Sequence, residues 1–300
     1  MKRTNYYCNF MLFVYLLLGP DIFAQEIVVE PYLQDAGPHS IHIMWETTEG
    51  GKCQVFWGRT KELENQSERV FSIVNQRPSQ IHRVQLEKLS PSTKYFYKVK
   101  TGQTESEIYH FRTTPLPEEE KSFQMLALSD MQRDDKRPNK FKEIVEEGVL
   151  TYLNNDKSGE DIFENLAMVI IPGDLTKDGP VYTDWTDDFF RQSKKLLPYV
   201  PVYPVLGNHE RNSDFYFNYF HLPDNGTPGY MEHWYYKDYG NVRIIGLNSN
   251  ENYRIQEQLD WLDEVLEEAE EVPSTFDDQP CSVDTSGIFP RISEHQTSVS

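Results

Sequence analysis

The amino-acid sequence predicts a two-domain protein, in which an all-β sandwich precedes a layered α/β domain. Between residues 27 and 114, short runs with alternating apolar residues are separated by polar breaks, and no helical pattern interrupts them. After Phe123, apolar strands alternate with amphipathic helical segments, which is typical of α/β layers. A chain of 300 residues has room for two such domains.

Residues 1–24 resemble an export signal, which predicts a periplasmic or secreted protein. Lys2 and Arg3 precede an apolar run over 10–18, and Ala24 occupies a plausible cleavage position. The run is shorter than the roughly 20 apolar residues that cross a bilayer, so we expect no membrane span.

The first domain is predicted over residues 25–114. Strands are predicted over 40–45, 53–57, 81–86, 95–100 and 108–112. Alternation places Ile41, Ile43 and Trp45 on one face, and we expect His42 and His82 at exposed strand positions. A proline turn before an aromatic strand, over 89–97, resembles fibronectin type III domains, so the sandwich is predicted to be fibronectin- or immunoglobulin-like.

The second domain is predicted over residues 122–271, after a proline- and glutamate-rich linker at 115–121. Strands are predicted over 123–128, 166–171 and 202–206, helices over 141–153, 183–197 and 255–270, and a hairpin over 234–247. Ser, Thr, Asp and Pro dominate residues 272–300, which predicts a disordered or aberrant tail.

The formal net charge of -19 argues against a nucleic acid duplex as the partner, because binding the phosphate backbone requires basic patches. Phosphorylated small molecules remain compatible with this charge. Bound divalent cations reverse the local sign of an acidic site, so the carboxylates fit a metal-assisted anion site.

Three short motifs follow the ends of the predicted strands. They are Ser129-Asp130-Met131-Gln132, Gly173-Asp174-Leu175-Thr176 and Gly207-Asn208-His209-Glu210. Groups at the carboxyl ends of adjacent strands converge on one crevice. We therefore expect Asp130 to bind one ion, Asp174 to bridge two ions, Asn208 to bind the second, and His209 to face a phosphate.

This order of motifs is similar to that of the calcineurin-like metallophosphoesterases, and with the preceding sandwich it most resembles the purple acid phosphatase branch. The resemblance implies a β-sandwich flanked by helices, and two divalent ions, with manganese, magnesium, zinc or iron as candidates. It further implies Asp130, Asp174 and Asn208 as metal ligands, with His209 and Glu210 as catalytic residues. The implied substrate is a small phosphate ester.

The sequence departs from the family pattern at three places. Gln132 stands where many relatives have His, and we expect it to ligate through its amide oxygen. Lys177 stands where the purple enzymes have Tyr, which predicts no iron-tyrosinate colour. No later motif matches the relatives' remaining His ligands, and His295 lies in the tail, so the second domain is predicted to be C-terminally incomplete.

The favoured prediction is a metal-dependent hydrolase of phosphate monoesters or diesters that uses a water activated by two metal ions. One alternative is a catalytically incomplete fragment or pseudoenzyme that lacks the last His ligands. Another is a non-enzymatic exported binding or adhesion protein, because sandwich folds host many functions. The sequence leaves the substrate and the oligomeric state open.

Overall fold

The computed structural model describes residues 25–76, 78–119, 121–155, 161–270 and 288–290. The first part of the chain forms two antiparallel sheets. Their strands are β1 Ile27–Gln34, β2 Ile41–Thr47, β3 Cys53–Gly58, β4 Asn65–Ser67, β5 Phe71–Val74, β6 Gln80–Leu86, β7 Lys94–Thr101, β8 Thr104–Glu105 and β9 Tyr109–Arg112. One sheet has the order β1-β2-β6-β5 and the other β4-β3-β7-β8, with β9 paired to β7. The predicted all-β sandwich is confirmed.

The interior of the sandwich is built by the predicted face of β2. Ile41, Ile43 and Trp45 are fully buried there and pack with Val55 of the opposite sheet. The indole of Trp45 donates a hydrogen bond to Thr101 Oγ1 at 2.9 Å, so its polar atom is satisfied inside the core.

The prediction that the strand histidines are exposed is wrong for His42 and His82. His82 is fully buried, because it shares the inner face of β6 with Val84 and its ring lies against Trp45. His42 is only 7% exposed, although it lies on the outer face of β2. That face is covered by the second domain, which a strand pattern in the first domain does not reveal.

The second domain contains a parallel sheet, a hairpin sheet and several helices, as the α/β prediction requires. The strands are β10 Gln124–Ala127, β11 Leu166–Ile171, β12 Val202–Pro204, β13 Tyr235–Tyr239, β14 Val242–Gly246 and β15 Ile288–Pro290. The parallel sheet has the order β10-β11-β12, and the antiparallel sheet has the order β13-β14-β15. The predicted hairpin turn at Gly240-Asn241 joins β13 and β14.

Four helices and a short 3-10 helix, Glu251–Tyr253, accompany these strands in the described part of the chain. Helix α1 covers 140–155 and includes a π-helical stretch at Ile144–Val149, and α2 covers 184–193 and begins with a π-helical stretch at Asp184–Phe190. Helix α3 is Asp214–Tyr219, and α4 is Gln256–Glu270. Helix α3 is capped by Ser213, whose hydroxyl accepts a hydrogen bond from Phe215 N at 3.3 Å. Its fully buried Tyr216 and Tyr219 place this aromatic segment in the core.

No regular structure is predicted for residues 272–300, yet β15 pairs with β14 through Ile244↔Pro290, Ile245↔Phe289 and Gly246↔Ile288. The rest of that segment, with His295, lies outside the described residues, as does the export signal predicted over 1–24. In the part of the chain that the structure describes, no helix is long and apolar enough to cross a bilayer.

The two domains are joined by hydrogen bonds as well as by the chain. The hydroxyl of Tyr32 donates to Tyr219 O at 2.6 Å, and Gln34 Nε2 donates to Val202 O at 2.9 Å. The hydrophobic cluster of the second domain continues into the sandwich through Tyr32 and Met44. The domains therefore meet through a packed apolar interface with paired polar groups, which fixes β12 against the first sheet.

Candidate metal centre

The candidate site lies at the carboxyl ends of the parallel strands. Asp130 follows β10 and Asp174 follows β11, with backbone φ angles of +56° and +55°. Left-handed backbone costs a residue with a side chain about 1–3 kcal/mol and persists only where the surroundings enforce it. Strain at two adjacent strand ends is a feature of functional sites, and here it falls on both predicted carboxylate ligands.

Backbone hydrogen bonds join the first two turns. Leu128 N donates to Ile170 O at 3.0 Å, which continues the pairing of β10 and β11 beyond the strand end. Met131 N, the amide that follows Asp130, donates to Asp174 O at 3.0 Å. The structure thus brings the Asp130 and Asp174 turns together, as their positions in the sequence predict.

The second and third turns are in close contact because both contain glycine. Gly173 has a φ of +99°, and a Cβ there would lie 2.8 Å from the Cα of Gly207. A Cβ on Gly207 would lie 2.2 Å from Asp174 Oδ1. No side chain fits at either position, and their absence lets His209 N donate to Asp174 Oδ1 at 3.2 Å.

The carboxylate of Glu210 is fully buried and connects the second and third turns by hydrogen bonds. Its oxygens accept hydrogen bonds from the backbone N–H groups of Gly207 at 2.7 Å, Asp174 at 2.9 Å, Leu175 at 2.7 Å and Thr176 at 3.3 Å. Burial raises the pKa of the Glu210 carboxyl, while three of these bonds act in the opposite direction. The geometry shows an anchor for two loops; an additional catalytic role for Glu210 stays a prediction.

The imidazole of His209 is oriented by a backbone carbonyl. His209 Nδ1 lies 2.7 Å from Lys177 O. Because a carbonyl oxygen only accepts, Nδ1 carries the proton in this hydrogen bond, and Nε2 is left to meet a ligand. The neighbouring Asn208 side chain is exposed to solvent.

The donor atoms at this edge of the sheet fit a divalent ion. Asp130 and Asn208 are exposed, Asp174 is half-buried, and Gln132 has a buried Oε1 without a hydrogen-bond partner. All four offer hard oxygen donors, which magnesium and manganese prefer. Across the described ranges, no group of three or more His, Cys, Asp or Glu side chains is arranged to hold a metal.

Asn248 and Asn250 were not among the predicted site residues. They follow β14, and Asn250 Nδ2 donates to the carbonyl oxygens of Leu206 at 3.1 Å and Gly207 at 3.3 Å. The pattern that points to them is the one that identifies the other motifs, because polar residues follow the end of a buried strand.

Comparisons with known proteins agree with the two-domain fold. Residues 29–113 match the family model of the purple acid phosphatase N-terminal domain, and residues 123–279 match that of the calcineurin-like phosphoesterases. The family matches place the chain among the metallophosphoesterases, a class whose families imply divalent metal ions. This chain belongs to the calcineurin-like phosphoesterase family. A comparison with curated protein sequences found no match.

A solved structure shows the same fold. The purple acid phosphatase PPD1 from yellow lupin (Lupinus luteus) seeds superposes with a TM-score of 0.61 at 19% identity, covering 79% of this chain and 48% of that one. A structure of PhoD gives a TM-score of 0.48 at 12% identity, covering 74% of this chain and 52% of that one. The chain thus spans about half the length of both.

Proposed function

We propose that this chain hydrolyses phosphate esters at the edge of the parallel sheet, with two divalent ions held by Asp130, Gln132, Asp174 and Asn208. The observation that carries the proposal is the pair of left-handed aspartates, Asp130 and Asp174, whose turns are joined by the Met131 N to Asp174 O hydrogen bond of 3.0 Å. The backbone holds these carboxylates in a conformation that local preferences disfavour.

The residues of the chain have separate tasks in this proposal. Asp174 contacts both the first and the third turns, so it would be the ligand that the two ions share. Glu210 accepts a hydrogen bond from the Asp174 backbone N–H. When bound, the two ions supply positive charge to the phosphate oxygens and make water a better nucleophile. His209, oriented through Nδ1, presents Nε2 to the leaving group and, when protonated, donates a proton to it.

Hydrolysis of an aryl phosphate and of its bis-ester by the 300-residue chain tests the proposal, with Mn²⁺, Mg²⁺, Zn²⁺ or Fe²⁺ restored singly after chelation. We expect turnover that depends on metal and that is lost in Asp174→Ala. The variant Asp263→Ala, on the exposed face of α4, is the control and keeps its turnover. Turnover that persists after chelation would overturn the proposal.

The second candidate is a phosphate-binding protein without catalysis. It is favoured by the absence, over the described ranges, of a cluster of three or more His, Cys, Asp or Glu ligands, since a sparse shell binds metal weakly. Metal-dependent binding of inorganic phosphate, with no turnover of either ester under any of the four metals, would decide for this candidate.

A further inference from the structure

The turn that carries Asn208 is held by two side chains, one from the turn itself and one from the segment after β14. On one side, Glu210 Oε2 accepts a hydrogen bond from Gly207 N at 2.7 Å. On the other, Asn250 Nδ2 donates to Gly207 O at 3.3 Å and to Leu206 O at 3.1 Å. Glycine has the largest backbone freedom of any residue, so Gly207 would otherwise be the most mobile point of this turn.

The Gly207 carbonyl belongs to the peptide that carries the backbone of Asn208. The peptide bond between these residues is planar, so a hydrogen bond that fixes Gly207 O also fixes the plane that contains Asn208 N and Cα. This plane sets the position from which the Asn208 side chain extends. A shift of this peptide would displace the Cα of Asn208 relative to the Asp174 turn, to which His209 N donates a hydrogen bond.

Asn250 is itself rigidly supported. Its Nδ2 also donates to Asn248 Oδ1 at 2.9 Å, and its backbone N–H donates to the same oxygen at 3.1 Å. Asn248 is fully buried and exchanges two hydrogen bonds with Gln258 of α4, from Asn248 N to Gln258 Oε1 at 2.8 Å and from Gln258 Nε2 to Asn248 O at 3.1 Å. A continuous set of hydrogen bonds therefore runs from α4 to the Gly207 turn.

We propose that Asn250 is a positioning residue for the metal centre: its side-chain amide fixes the Gly207-Asn208 peptide and so holds Asn208 ready to ligate. The inference rests on the proposed function, because it takes Asn208 to be a ligand. Metal ligands depend on neighbouring groups for their orientation, and loss of such a group costs about 10- to 100-fold in affinity.

Asn250→Asp is the sharpest test, because it keeps the shape of the side chain and removes its donor. The affinity of the full chain for Mn²⁺ alone is measured by calorimetry, and the thermal unfolding midpoint is measured without metal. Asn65→Asp makes the same chemical change at an exposed position of β4. We expect at least about tenfold weaker Mn²⁺ binding for N250D and unchanged binding for N65D, with similar metal-free midpoints.

A reference variant separates the possible failures. If Asn208→Ala weakens Mn²⁺ binding and N250D does not, the positioning role is overturned while the proposed metal centre stands. If neither weakens it, the centre itself is overturned. Weaker binding in N250D that only accompanies a lower metal-free midpoint also contradicts the inference, since it reports unfolding. Should N250D fail to fold, Asn250→Ala removes the donor without adding a charge and is judged by the same criteria.

Discussion

The hydroxyl of Tyr219 in the second domain donates a hydrogen bond of 2.8 Å to the carboxylate of Glu46 in the sandwich. Glu46 is fully buried, and it also accepts from Asn75 Nδ2 at 3.0 Å and from the Tyr182 hydroxyl at 3.1 Å. Burial of an ionised carboxylate is costly unless polar groups surround it, and here both domains supply these groups. Glu46 therefore links the sandwich to the two helical segments that carry Tyr182 and Tyr219.

Replacing Glu46 with Ala is expected to lower the free energy of unfolding by about 3 kcal/mol, because buried tyrosine hydroxyls lose their acceptor. Urea denaturation measures this loss. Glu87→Ala, at an exposed position after β6, is the matched control and should change stability by less than about 0.5 kcal/mol. Equal effects of the two substitutions would show that the buried network contributes nothing specific.

Acidification is expected to destabilise the sandwich through its buried histidines. Burial lowers the pKa of His82 to about 4, and burial together with the charge of His221 lowers the pKa of His42 to about 3. In the unfolded chain the histidine pKa values are near 6.5, so below about pH 6.5 the unfolded chain binds protons that the folded chain does not yet bind. Stability is therefore lost as the pH falls below about 6.5, by about 2 kcal/mol for His82 by pH 5.

The measurement is the unfolding free energy between pH 7.5 and 5 for the wild type and for His82→Gln. Glu232 acts in the opposite sense, because burial raises its pKa to about 7, so stability it contributes is lost as the pH rises from about 4.5. The difference between the two proteins isolates His82, since Glu232 is common to both. A pH slope that is unchanged by the substitution would contradict the prediction.

Two Gly→Ala substitutions are expected to have opposite effects, one in the tight contact between the Asp174 and Gly207 turns and one in an open helix position. At Gly207 a Cβ would collide with Asp174, so we expect a loss of more than about 2 kcal/mol in stability and weaker Mn²⁺ binding. At Gly148, within α1, nothing lies within 4 Å of the added Cβ. There Ala is expected to stabilise the chain by about 1 kcal/mol through its higher helix propensity. Thermal unfolding and calorimetry compare the two, and a harmless Gly207→Ala would be inconsistent with the observed packing.

The orientation of His209 is expected to survive loss of the Lys177 side chain. The contact to His209 Nδ1 is made by the carbonyl of Lys177, whereas its ammonium group pairs with Asp135 at 3.3 Å on the surface. Lys177→Ala should therefore change kcat for an aryl phosphate by less than about threefold. His209→Ala should lower kcat by about 100-fold or more, as expected for loss of a general acid. A large loss in both variants would place the Lys177 ammonium group at the substrate.

The sequence predicts the elements of this chain best where one local pattern decides the structure. The strand β11 has the predicted bounds, because a run of apolar residues over 166–171 suits a strand covered on both faces. The turns after β10, β11 and β12 were predicted to converge, and their hydrogen bonds show that they do. The contacts of Glu210 cannot be predicted from a local pattern. The amides of Asp174 and Leu175, from which its carboxylate accepts hydrogen bonds, lie about 35 residues earlier in the chain.

Met44 of the sandwich and Tyr219 of the second domain belong to one hydrophobic cluster, so the two domains share buried apolar surface. A cut in the predicted linker at 115–121 would separate two pieces, each of which would expose an apolar surface that the other now covers. The sandwich is therefore not structurally independent of the second domain. The two halves should melt in one cooperative transition, and neither should remain monomeric when produced alone.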